Sequence, residues 1–116
     1  MTHSEIIDNL LKKNNSNYRK FSMLHGLPEN YYFVRFKSKE TVSPKMFADA
    51  VYDLGGRIVA GNGEDLTDMM REERSKTPFS FIVDLIRASG SRLFVSHGDD
   101  MYEVTSGINE RKNKIK

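Results

Sequence analysis

The sequence predicts an α+β fold: a single domain in which a mainly antiparallel sheet of about five strands is packed by three to four helices. Apolar residues recur at helical spacing in some segments and run as short aromatic or β-branched stretches in others. Most of the strand-like stretches follow one another without a crossover helix, which favours α+β over a doubly wound sheet. The 116 residues contain no internal repeat and no linker that would split domains. The domain is expected to span residues 1–110, with 111–116 a basic, loose tail.

Thr2-His3-Ser4-Glu5 reads as a capping box, and Ile6, Ile7, Leu10 and Leu11 follow at helical spacing, so residues 3–13 predict a helix. Asn14 to Asn17 end it, and Tyr18 to Leu24 is expected to be a strand. Gly26 and Pro28 mark a loop. Tyr31 to Lys37 is the strongest strand expectation, aromatic and β-branched without a breaker. Alternation puts Tyr32, Val34 and Phe36 on one face and Tyr31, Phe33, Arg35, Lys37 and Lys39 on the other.

Ser43-Pro44 is an N-cap followed by proline at the first helical position. Met46, Phe47, Ala50, Val51 and Leu54 then give a buried stripe, closed by Gly55-Gly56. Arg57 to Ala60 predicts a short strand, Gly61 to Gly63 a turn, and Glu64 to Ser75 a helix with its acids early and its bases late. Thr77-Pro78 repeats the cap-then-proline signal. Phe79 to Ala88 suits a mostly buried helix, with a strand as the alternative over 79–86. Arg92 to His97 and Met101 to Thr105 complete the pattern as a hairpin around Gly98-Asp99-Asp100.

The absence of cysteine excludes disulfides and thiol chemistry. No apolar run approaches the ~20 residues of a membrane span, and Met1 to Glu5 lacks the basic and apolar regions of a secretory signal. A cytoplasmic protein is expected (in a host cytoplasm if a phage or plasmid encodes it), with no membrane partner, no cofactor and homo-oligomerisation left open. Charge is unevenly spread. Residues 1–58 carry nine basic and six acidic side chains, whereas residues 59–110 carry five and ten. The tail adds four more cations. Halves of opposite sign point either to a polar protein–protein surface or to one face for polyanions and one that avoids them.

From Lys12 to Lys45, cations and rings are interleaved. Positive side chains neutralise phosphate and flat rings stack on bases, the two ingredients of single-strand binding. Asn30 to Phe36 partly resembles the ribonucleoprotein octapeptide of RNA-recognition-motif domains, with Tyr31, Phe33, Val34 and Phe36 matching. Glu29, Asn30 and Tyr32 depart from it, and the segments on either side do not fit that fold. The likeness is therefore read as a shared solution for a stacking strand, not as family membership.

The leading expectation is a non-enzymatic regulatory or binding module that contacts RNA or single-stranded DNA. Tyr31 and Phe33 would stack, while Arg19, Lys20, Arg35, Lys37, Lys39, Arg111, Lys112 and Lys114 would meet phosphates. The alternative is a phage- or plasmid-type inhibitor or adaptor that docks on a basic protein surface through Asp65, Asp68, Glu72, Asp99, Asp100 and Glu103. A metal-dependent nuclease built on the same carboxylates with His97 stands a distant third, because neither the EF-hand nor the His-Glu-x-x-His spacing is present. Gly61-x-Gly63 is read as a turn, because Glu64 and Asp65 would repel a phosphate there.

Overall fold

Helix α1 (His3–Lys13) starts on the expected capping box: Glu5 N–H donates to Thr2 Oγ1 at 3.2 Å and Thr2 N–H to Glu5 Oε1 at 2.8 Å. The computed structural model describes residues 1–38 and 42–106. Ile6, Ile7, Leu10 and Leu11 are all buried, as the spacing predicts. The expected contacts of Lys39, Arg111, Lys112 and Lys114, and the loose tail, lie outside the described residues.

The next two segments correct the sequence reading. Tyr18–Leu24 is helix α2, and Tyr31–Phe33 is a single turn, α3, that continues into a π-helical turn at Val34–Ser38. Asn17 caps α2 by accepting from Lys20 N–H at 2.9 Å. Aromatic packing then outweighs β propensity. Tyr18 and Phe21 on α2 interlock with Tyr32 and Phe36, at 4.9 Å for Phe21–Tyr32 and 6.1 Å for both Tyr18–Phe36 and Tyr32–Phe36. Phe36 is fully buried, and its carbonyl accepts from Ser4 Oγ at 2.7 Å, tying this segment to α1.

Helix α4 (Pro44–Asp53) forms as expected. Ser43 Oγ accepts from Met46 N–H at 3.2 Å, and Phe47, Ala48, Ala50 and Val51 are buried. The chain leaves it through Gly55, at φ +87°, and Gly56, where a Cβ would lie 3.0 Å from Val51 Cγ1 and 3.1 Å from the Ser96 carbonyl.

Among the described residues the sheet has three strands, not five: β1 (Arg57–Ala60), β2 (Leu93–His97) and β3 (Asp100–Glu103), antiparallel in that order. Ile58 pairs with Val95 and Val95 with Tyr102. Six α-helices form among the described residues, more than expected, because the two missing strands are α2 and α3.

Helix α5 (Thr67–Arg71) is shorter than the Glu64–Ser75 expectation. Residues 64–66 instead run along the free edge of β1, with Ala60 N–H donating to the Glu64 carbonyl and Leu66 N–H to the Ile58 carbonyl, both at 2.8 Å. Helix α6 (Phe79–Ala88) settles the open choice at 79–86 in favour of helix. Pro78 sits just before it, and Thr77 makes no cap. Phe79 and Val83 are buried but Phe81 and Leu85 are more than half exposed, so α6 is not the mostly buried helix expected. One hydrophobic core joins α1, α4 and the start of α6 to the inner face of the sheet at Ile58, Leu93, Val95 and Val104. Phe47 and Phe79 stack within it at 4.3 Å.

Candidate functional site

Because Tyr18–Leu24 is helical, Arg19 comes to face the α3 turn. Asn17, Tyr18, Arg19, Glu29, Asn30 and Phe33 line an open groove of about 420 Å³. Tyr18 forms a fixed part of the wall: burial first, and then the nearby Asp8 carboxylate, push its phenol well above the usual range, so it stays neutral. Phe33 meets Tyr18 edge to face at 6.0 Å and 82°, yet 49% of Phe33 remains exposed. Arg19 Nε donates to Glu29 Oε2 at 3.1 Å across the groove, with both side chains largely in solvent. The Asn30 side chain precedes α3 without capping it.

Two of the expected contacts, Arg19 and Phe33, are thus in one depression. Lys20 is exposed next to Arg19 on α2. Arg35 follows two residues after Phe33 and places its guanidinium 5.1 Å from the centre of the Tyr31 ring. Tyr31 is partly buried and packs edge-on against Tyr32 at 5.4 Å, so Phe33 is the more open of the two expected platforms. Lys37 is turned towards α1, where its ammonium donates to Asp8 at 2.7 Å. Among the described residues Lys12, Lys20 and Arg35 make no ion pair.

Asp65 and Asp68 lie beside β1 and Asp100 and Glu103 on β3, with β2 between them. Most are already neutralised. Arg57 pairs with Asp65 at 2.8 Å and reaches Asp68 at 3.7 Å. Lys13 pairs with Asp100, and Arg92 holds Glu103 through two bonds at 2.9 and 3.1 Å. Glu72 and Asp99 make no ion pair among the described residues. No group of three or more metal-binding side chains converges among the described residues.

A further basic-aromatic arrangement escapes the sequence reading. Arg71 lies 3.8 Å from the Tyr52 ring centre and Arg57 at 5.7 Å, both braced by carboxylates, Asp49 and Asp65 respectively. Its cations are internally satisfied, so it serves to tie α4, α5 and β1 together. Asn17, Tyr18, Glu29 and Asn30 are the groove residues missed among the expected contacts. The missed signal was Asn17 as an N-cap with Tyr18 and Phe21 three apart, which makes α2 a helix and opens the groove beside it.

The chain matches no protein-family model, no curated protein and no solved structure.

Proposed function

We propose that this protein is a non-enzymatic binding module that contacts single-stranded nucleic acid, RNA or DNA, through the Tyr18–Phe33 groove. The observation that carries this reading is the half-exposed Phe33 ring in the same open groove as Arg19. An exposed ring offers a base a stacking surface, and a guanidinium offers the adjoining phosphate a charge-assisted bond. Lys20 and Arg35 extend the positive flank. Lys37, bonded to Asp8, is left out of the proposed contacts. The rival reading, docking on a basic protein surface, is weakened by the internal pairing of Asp65, Asp68, Asp100 and Glu103.

Fluorescence anisotropy with labelled single-stranded RNA and DNA octamers tests the proposal. Phe33→Ala combined with Arg19→Ala is expected to weaken binding at least about tenfold, since one stacked base contributes roughly 1–3 kcal/mol. Arg19 is largely in solvent and Phe33 half exposed, so circular dichroism should be unchanged. Undiminished affinity in the double variant would contradict the proposal.

A further inference from the structure

The geometry points to guanine as the base this groove selects, an inference that rests on the proposed function. The feature that demands explanation is Glu29. A carboxylate in the lining of a groove that receives a polyanion weakens binding unless it meets hydrogen-bond donors. Glu29 is held beside Arg19, its Oε2 3.1 Å from Arg19 Nε, so an acceptor-only group and a donor-only group are presented side by side.

Guanine is the base whose edges complement that pair. Its N1–H and N2–H₂ are adjacent donors that suit the two oxygens of a carboxylate, and its O6 and N7 accept from a guanidinium. Adenine, cytosine and uracil each set an acceptor next to their donor on the Watson–Crick edge, where it would face Glu29 and repel it. Phe33 supplies the stacking face, which is indifferent to base identity. The Asn30 carboxamide, not spent on capping, has a donor and an acceptor for the remaining edge or the sugar. Base choice thus falls to Glu29 and Arg19, and affinity to Phe33 and the cations.

The test uses the full chain and labelled uridine heptamers with a central G, A, C or U, the matching deoxy series, and free GMP as competitor. The G heptamer is expected to bind about tenfold tighter than the other three, the discrimination typical of one good two-bond base contact. Glu29→Gln keeps the shape, removes the charge, and is expected to abolish that preference while tightening the all-uridine heptamer. The ribo and deoxy arms identify which strand supplies the base. Equal affinity for all four bases, or a preference untouched by Glu29→Gln, would overturn the inference and leave strand binding standing. Direct binding of GMP, read by isothermal titration calorimetry, with no heptamer binding would uphold guanine selection and overturn the proposed function. Absence of any binding would overturn both.

Discussion

His25 joins two helices through both of its ring nitrogens. Nδ1 lies 2.8 Å from the Phe21 carbonyl at the end of α2, and Nε2 lies 2.9 Å from Asp53 Oδ2 at the end of α4. Two acceptors suit an imidazolium, which has two N–H donors, better than a neutral ring, which has one. The Phe21 carbonyl first, and then Asp53, raise the His25 pKa above 6.5 against the opposing effect of burial. A pKa raised on folding adds stability that is fully present below the unfolded value and is lost as pH rises through the folded one. The thermal midpoint should therefore fall as pH is raised from below 6.5 through the folded His25 pKa, and His25→Gln should flatten that fall. Asp65 works in the opposite sense. Arg57, helped by Thr67 N–H, lowers its pKa from 3.8 to about 2, so its contribution is present above 3.8 and disappears as pH drops towards 2. Urea midpoints measured across that acid limb should be less pH-dependent in Asp65→Asn than in the parent. A slope unchanged by either substitution would contradict the corresponding pair.

At the scale of elements, the junction of β1 and α5 hangs on one buried hydroxyl. Thr67 is fully buried, and its Oγ1 accepts from Ile58 N–H at 2.7 Å. Thr67→Val keeps the shape but leaves that N–H unpaired, so it is expected to cost about 1–3 kcal/mol in urea denaturation. A loss under half of that would mean the edge relaxes to find another acceptor. Where a local device and the tertiary packing agree, the element was readable beforehand. The Thr2/Glu5 box, the Ser43-Pro44 start with its Gly55-Gly56 stop, and the β2–β3 turn at Gly98-Asp99 all formed where the sequence places them. The reading failed where rings dominate. Tyr, Phe and Val carry β propensity as a class, but Tyr18/Phe21 and Tyr32/Phe36 also stand at i,i+3 and i,i+4, and mutual packing selects the helical option. Acid placement misled in a different way: Asp65 and Glu64 resemble a first helical turn but are spent on the edge of β1. The groove inherited those errors. Its ring and its guanidinium were identifiable as types, whereas their meeting depended on α2 being a helix.

For the whole molecule, the division of charge along the chain is bridged by ion pairs between its two halves. Ion pairs such as Lys13–Asp100 and Arg57–Asp65 join a cation of the first half to a carboxylate of the second, and neutralise residues that composition alone would assign to opposite surfaces. Among the described residues, the cations near the groove without an ion pair are Arg35 and Lys20, and Arg19 can meet phosphate through its terminal nitrogens while Nε stays on Glu29. Three cations meeting a single strand correspond to a slope of about −2 in log affinity against log salt. The direct test is therefore a titration of labelled single-stranded octamers with the parent protein and with the Arg19→Ala/Phe33→Ala variant, at several salt concentrations. The account predicts binding by the parent, a slope near −2, and at least about a tenfold loss in the variant. No binding at low salt, where electrostatic attraction is least screened, would contradict it.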